Sequence, residues 1–264
     1  MKTRIGFGGR LACAAALAVA ALQGQADQLI LKNKSVMEAK SIRFKSSSQE
    51  YIVITMEDTT VPVPVKNVER AVVPKPAGFD AAAASIQAGK YEAAIAPLEK
   101  IISETAGLEW DNAARDLLGQ ALIGKKEARK AVATYKEIID NVPPERVPLL
   151  WRRHYWEALK SAEMFAVLKA DLEKVINGGL RDTAALAQLM RGDMYAAQGQ
   201  KNEALLDYLR TVILYEKVTE LQPEALYKAA TLLEELRDPR AAELKKKLVQ
   251  EYGSSPYAKK VAGG

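Results

Sequence analysis

The chain has one cysteine and one histidine in 264 residues, and each scarcity excludes a class of chemistry. The cysteine, Cys13, lies in an N-terminal leader, so the chain that follows the leader has no thiol. Disulfide bonds, thiolate metal sites and cysteine nucleophiles are therefore excluded together. With His154 as the single imidazole, a multi-histidine metal site or a Ser-His-Asp triad has little support.

The short motifs that carry catalytic chemistry are also absent from the sequence. It contains no phosphate-binding loop, no GxGxxG after a strand, no GxSxG elbow and no HExxH helix. Neighbouring carboxylates such as Glu234 and Glu235 fall on a predicted helix surface, where we interpret them as solubilising charges. We expect a protein that is not an enzyme and that needs no cofactor or metal.

Residues 1–26 have the pattern of a secretory signal peptide. A basic start precedes the apolar run Leu11–Leu22, and small residues follow at Gly24 and Ala26, the two positions that a signal peptidase reads. Cleavage is therefore predicted between Ala26 and Asp27. We expect an exported protein, periplasmic or otherwise extracytoplasmic.

Two other interpretations of the leader are disfavoured. Its apolar run is too short to span a bilayer, so a retained membrane anchor is not expected. A lipid-modified cysteine would stand at the end of the run, whereas Cys13 stands near its beginning. No later stretch is long and apolar enough to form a transmembrane helix.

Removal of the leader changes the charge of the chain. Three of its 38 basic residues lie in residues 1–26, which leaves 35 basic against 33 acidic residues. The pI near 9.1 therefore belongs in part to the leader. It does not indicate nucleic-acid binding, and we expect no nucleic-acid partner.

Residues 27–73 are predicted to form a small β module. Alternating Pro62 and Pro64 suit an edge strand, because a proline has no N–H group to donate to a neighbouring strand. Five short strands with a brief turn before the last resemble a small SH3-like or Sm-like barrel, filled by its own side chains. A proline-rich linker is predicted at 74–78. The five runs rich in β-branched and aromatic residues are Leu29–Leu31, Ile42–Phe44, Tyr51–Ile54, Val61–Val65 and Val68–Val72.

The first half of the β module leans basic. These cations could form a patch for anionic lipid or cell-wall polymer, or a solvated face that keeps sheet edges from aggregating, and the second interpretation is preferred. The residues are Lys32, Lys34, Lys40, Arg43 and Lys45.

From Phe79 onward the pattern becomes helical and repeats. One set of positions, each expected at a close helix crossing, recurs at separations of 37, 37, 36 and 37 residues: Ala94, Ala131, Leu168, Ala204 and Ala241. Twelve residues before each stands a second such position: Ala82, Gly119, Trp156, Gly192 and Ala229. Such regularity indicates a repeat architecture built from helix pairs.

The most complete copy reads Gly192-x2-Tyr195-x3-Gly199-x4-Ala204-x3-Tyr208. This pattern resembles the tetratricopeptide (TPR) signature, whose family period is 34 residues. The resemblance implies a mainly α-helical fold, a TPR-like α-solenoid of about five helix pairs over 79–252. The tail 253–264 would be a capping helix or an irregular end. TPR proteins hold protein partners, so a non-catalytic scaffold is implied.

The third unit departs from the pattern, since Trp156 and Leu168 are large where the other units are mostly small. Its cluster Trp151–Trp156 mixes aromatic and cationic side chains, which on a helix point in all directions. We expect Trp156 to lie in the core, Arg152 and Arg153 on a solvated rim, and His154 in a structural or surface position.

The TPR resemblance also implies a binding site, because the first helix of each pair lines the concave groove. The groove positions in the middle units are Asp116, Gln120, Arg153, Glu157, Lys160, Leu189 and Asp193. In the terminal units they are mostly apolar, for example Phe79, Ile86, Leu226 and Leu233. Such a groove suits a peptide with charged and apolar anchors, and an ordinary solvated groove is the alternative.

Two functions remain open at this point. The first is an exported scaffold or adaptor that binds protein or peptide partners in its groove within the cell envelope. The second is a structural or assembly subunit of an envelope multimer, in which the β module self-associates.

We predict that the protein recovered from an exporting cell begins at Asp27. N-terminal sequencing or intact mass of the secreted chain measures this directly. A chain that retained Met1, or that carried lipid on Cys13, would contradict the prediction.

Overall fold

The computed structural model describes residues 26–263, and it places strands before helices. The chain divides into two compact units. Of the described residues, the first unit contains those up to Ala84 together with Ala96–Ala114, and the second contains Ser85–Ile95 together with those from Arg115. The predicted linker at 74–78 thus lies inside the first unit.

The first unit contains a five-stranded antiparallel sheet with strand order β4-β3-β2-β1-β5. A 3₁₀ turn at Val65–Asn67 separates the last two strands. The strands are β1 (Asp27–Leu31), β2 (Val36–Lys45), β3 (Glu50–Thr55), β4 (Thr60–Pro64) and β5 (Val68–Val72). All five predicted strands are confirmed.

The predicted closed barrel is not shown. Strands β4 and β5 lie at the two edges of the sheet, and no pairing joins them among the described strands, so the sheet is open. The edge position of β4 confirms the interpretation of Pro62 and Pro64. Val63 between them is buried on the inner face.

The core of the sheet includes residues from beyond the predicted linker. Leu108 is buried within the apolar cluster that the strands form. The Trp110 Nε1–H group donates to the carbonyl oxygen of Val73 at 3.0 Å, and the Tyr51 hydroxyl donates to the carbonyl oxygen of Gly107 at 3.1 Å. Packing of the sheet therefore depends on a chain segment about 35 residues after the last strand.

Eleven helices follow in the described residues, as five pairs and one final helix. The first three pairs are α1 (Phe79–Gln87) with α2 (Tyr91–Glu104), α3 (Glu109–Gly124) with α4 (Ala128–Asn141), and α5 (Leu149–Ser161) with α6 (Phe165–Gly178). Next come α7 (Arg181–Ala197) with α8 (Lys201–Leu214), α9 (Gln222–Glu235) with α10 (Arg240–Tyr252), and α11 (Pro256–Ala262). The predicted number of pairs is confirmed.

Both sets of repeat positions are buried, as the alignment requires. In the second helices, Ala94, Ala131, Leu168 and Ala204 have no exposed surface and Ala241 is 6% exposed. In the first helices, Ala82, Gly119, Trp156, Gly192 and Ala229 are all buried. The spacing in the sequence therefore identifies the packed side of both helices in each of the five pairs.

Each pair turns through the same backbone motif. One residue has a positive φ, and the next residue donates its N–H to a carbonyl five residues earlier. This is a Schellman cap, which satisfies carbonyls left free at the end of the first helix. Glycine fills the left-handed position in pairs one and four, whereas Lys126, Glu163 and Arg237 fill it in the others.

The fourth pair shows why a small residue is needed at the crossing. A Cβ atom added at Gly192 would lie 2.5 Å from Cε1 of Tyr208. The Tyr208 ring is buried, and its hydroxyl donates to Oδ1 of Asp193 at 2.7 Å. Because the ring is held at both ends, it has little freedom to move aside.

We predict that Gly192→Ala lowers the free energy of unfolding by about 1–3 kcal/mol, since the added methyl overlaps the Tyr208 ring. Gly178→Ala is the matched control, because nothing lies within 4 Å of a Cβ added there. Urea unfolding followed by circular dichroism measures both variants. Equal stability of the two would contradict the packing argument.

Candidate partner-binding face

The first helices of the third, fourth and fifth pairs, α5, α7 and α9, share one polar surface in the second unit. We call it the first-helix face. Helix α5 contacts α7 directly, and side chains of α9 reach both. Two predicted groove residues, Arg153 on α5 and Asp193 on α7, lie at its centre.

Arg153 and Asp193 belong to a network of four alternating charges, which we call the four-charge network. Arg153 Nη1 donates to both carboxylate oxygens of Glu224, at 3.1 and 2.9 Å. Lys228 Nζ donates to the same Glu224 at 2.6 Å. It also donates to both oxygens of Asp193, at 2.7 Å each. The two cations and two carboxylates neutralise one another.

The network is shielded from solvent, so its charges act strongly on each other. The Glu224 side chain is 10% exposed and that of Lys228 is 24% exposed. Burial alone would raise the pKa of Glu224, but the attraction and hydrogen bonds of Lys228 and Arg153 outweigh it and lower the pKa. Burial would likewise lower the pKa of Lys228, but Asp193 and Glu224 outweigh it and raise the pKa.

Two tyrosines border the network. Burial, followed by the charge of Asp193 and the hydrogen bond to it, raises the pKa of the Tyr208 hydroxyl. Burial and then the charge of Glu224 raise the pKa of Tyr257, which lies on the final helix α11. Both phenols therefore stay protonated and can donate hydrogen bonds to the carboxylates.

A second polar group lies further along the same series of first helices, on α3 and α5. The carboxylate of Asp116 is buried, and its Oδ1 lies 2.7 Å from Nδ1 of His154. Its Oδ2 accepts a hydrogen bond from Gln120, and its backbone carbonyl accepts one from Tyr135. His154 thus occupies a structural position, as expected for the single histidine.

Leu189, the one apolar residue among the groove positions predicted for the middle units, lies in the core. Its side chain has no exposed surface, and Leu226 and Leu233 are also buried. Phe79 and Ile86 are half-buried, and the Phe79 ring packs on Trp110 with centroids 5.1 Å apart. The expectation of a groove with apolar ends is therefore wrong for Leu226 and Leu233.

The arginines of the Trp151–Trp156 cluster also differ from the expectation. Trp156 is fully buried as predicted, and its Nε1–H group donates to Asp171 at 2.6 Å. Arg152 is only 7% exposed, and its guanidinium lies 5.9 Å from the centroid of the Trp156 ring. A solvated rim is therefore wrong for Arg152, and Arg153 is held in the four-charge network.

Sequence reasoning missed Glu224 and Lys228. Their spacing of four residues on α9 is the only signal in the sequence, and such pairs are common on exposed helix surfaces. Three predicted residues, Gln120, Glu157 and Lys160, remain half-exposed and extend the surface along α3 and α5.

Within residues 26–263, no group of three or more histidine, cysteine or acidic residues is arranged to hold a metal ion. In the same range, no helix has both the length and the apolar character needed to cross a bilayer.

The helix pairs, their buried repeat positions and their common turns define a TPR-like repeat fold. The structure is similar to crystal structures of the nearly identical TPR-like repeats of a protein described as a kinesin light chain from Podosopora anserina.

Two of these crystal structures align with about two thirds of this chain. A point variant is 16% identical, with a TM-score of 0.51 over 67% of this chain and 94% of that chain. The second structure is 17% identical, with a TM-score of 0.49 over 64% and 90%. No family profile and no curated protein matches the sequence.

We predict that Glu224→Gln lowers stability at neutral pH by up to about 3 kcal/mol, because Arg153 and Lys228 lose a shared carboxylate. The pKa of Glu224 is lowered on folding, so its stabilisation is full above the unfolded value near 4.5 and is lost as pH falls through the folded value. The difference between wild type and variant should therefore shrink below about pH 4.5.

Urea unfolding at pH 7, 5 and 3.5 measures this dependence. A matched control is Glu234→Gln, which removes an exposed partner of Lys245 on α9 and α10. A Glu224→Gln penalty that stayed constant between pH 7 and 3.5 would contradict the assignment of the charge.

Proposed function

We propose that this chain is an exported, non-catalytic scaffold that binds protein or peptide partners within the cell envelope. The partner-binding surface is the concave groove that TPR geometry assigns to the first helices. The observation that carries the proposal is the side-by-side arrangement of α5, α7 and α9. It gathers polar side chains from three successive repeats onto one face.

The half-exposed residues of α5, and one on α3 beside the first-helix face, are the best candidates for partner contacts. Gln120, Glu157 and Lys160 present polar groups without belonging to the four-charge network. The four-charge network forms a rigid centre for this surface, because its charges are already fixed by hydrogen bonds. A partner would contact these three residues without breaking the hydrogen bonds of the network.

Export is supported by where the sheet begins. Strand β1 starts at Asp27, directly after the predicted cleavage point. The Asp27 carboxylate accepts a hydrogen bond from the backbone N–H of Ile42 at 2.7 Å, next to an irregularity in β2. Cleavage after Ala26 would leave this strand intact.

A second candidate is a subunit of an envelope multimer, and the open sheet favours it. Strands β4 and β5 both present an edge, and prolines protect only β4. We retain an SH3-like or Sm-like fold for this module as part of the proposal, supported by five antiparallel strands and the turn at Val65–Asn67. Light scattering of the chain from Asp27 tests it, and a monomer at high concentration would contradict it.

We predict that Lys160→Glu weakens capture of a genuine groove partner by about 1–3 kcal/mol, which is roughly five- to 150-fold in affinity. Lys160 is preferable to Arg153, since a carboxylate at 153 would face Glu224 and disturb the fold. The measurement is a pull-down from envelope extract with the chain from Asp27, quantified by mass spectrometry.

Lys174→Glu is the matched control, because it makes the same charge change on an exposed position of α6, a second helix. A partner that bound the Lys160 variant as well as the control would place its site elsewhere. The opposite face of the repeats or the sheet would then be the surface to test.

A further inference from the structure

The Arg153–Glu224 ion pair joins helices that are not neighbours in the repeat array. Its two residues are 71 positions apart, on α5 of the third pair and α9 of the fifth. The fourth pair stands between them in the chain, and its Asp193 is tied to the same network through Lys228. A single network therefore spans three successive pairs.

Such a link is unusual in a repeat protein for a physical reason. Each repeat normally contacts only its neighbours, so small rotations between neighbours add up and set the curvature of the array. A bond between the first and third of three repeats constrains that sum directly. It does so on one face only, the face on which α5, α7 and α9 lie.

We propose that the Arg153–Glu224 pair is a clasp that holds the third and fifth helix pairs together across the first-helix face. When the clasp is closed, the charged centre of this face is occupied by the protein's own side chains. When it opens, α9, α10 and α11 rotate away from α5 and the face widens.

Geometry and burial support a clasp more than an ordinary surface ion pair. Both carboxylate oxygens of Glu224 accept from Arg153, and the two side chains are 20% and 10% exposed. Water competes weakly for charges so placed, and the pair holds one defined geometry. Lys228 holds Glu224 from the other side, so the carboxylate is already positioned when Arg153 approaches.

The consequence for binding rests on the proposed function. A partner that enters between α5 and α9 has to open the clasp, so closure reduces its apparent affinity by the fraction of molecules that are open. A partner confined to Gln120, Glu157 and Lys160 leaves the clasp closed. The first-helix face therefore has a closed and an open state. A partner that stays at the surface binds the closed state, and a partner that inserts between α5 and α9 binds only the open state.

A distance measurement tests the clasp without any partner. The chain from Asp27 has no cysteine, so Lys174→Cys on α6 and Lys246→Cys on α10 give two unique sites for spin labels. Double electron–electron resonance then measures the distance between the two labels, which reports the separation of the third and fifth pairs. In Arg153→Gln the distance distribution should broaden and shift to longer values, and an unchanged distribution would overturn the proposal.

Lys245→Gln is the control, because it breaks an ion pair with Glu234 inside the fifth pair and should leave the distance unchanged. If Arg153→Gln loses its helical circular dichroism, Arg153→Met decides instead, since it keeps an apolar stem but removes the charge that Glu224 binds. A broadened peak in that variant supports the clasp, and an unchanged one overturns it. The pull-down with Lys160→Glu is independent of this result, so the two proposals fail separately.

Discussion

Close approach of the two helices in a pair is the constraint on which the rest of the helical structure depends. Where Gly192 leaves room, the Tyr208 ring enters the crossing and its hydroxyl reaches Asp193. Asp193 then holds Lys228, and Lys228 holds Glu224. The polar face is therefore positioned by the packing beneath it, because a displaced tyrosine would move the first carboxylate of the network.

The repeats and strands could be predicted because both leave periodic traces in the sequence. The crossing positions recur at a nearly constant spacing, and burial of Ala131 and Ala204 follows from that spacing alone. Closure of the sheet could not be predicted, since pairing of its edges is a long-range property. The contribution of Leu108 to the sheet core was equally hidden, because a helical pattern assigns it to the repeats.

The candidate site was predictable only in part, for a related reason. Periodicity places Arg153 and Asp193 on the correct side of their own helices, but it carries no information on partners in other helices. Glu224 was therefore not predicted, although it forms an ion pair with the predicted residue Arg153, 71 positions away. Leu189 shows the opposite error, because tight packing of the fourth pair buries a position that the general geometry would expose.

In three of the five pairs, the turn between the two helices contains a strained residue that is not glycine, and this lowers the stability of the repeats to heat. Lys126, Glu163 and Arg237 adopt the left-handed conformation that Gly89 and Gly199 take without penalty. Each such side chain costs about 1–2 kcal/mol relative to a relaxed backbone. Relieving this backbone strain at the three surface turns would therefore raise the free energy of unfolding of the helical repeats. Glycine at these three positions is the substitution that removes the strain, and it changes neither the helix crossings nor the polar face.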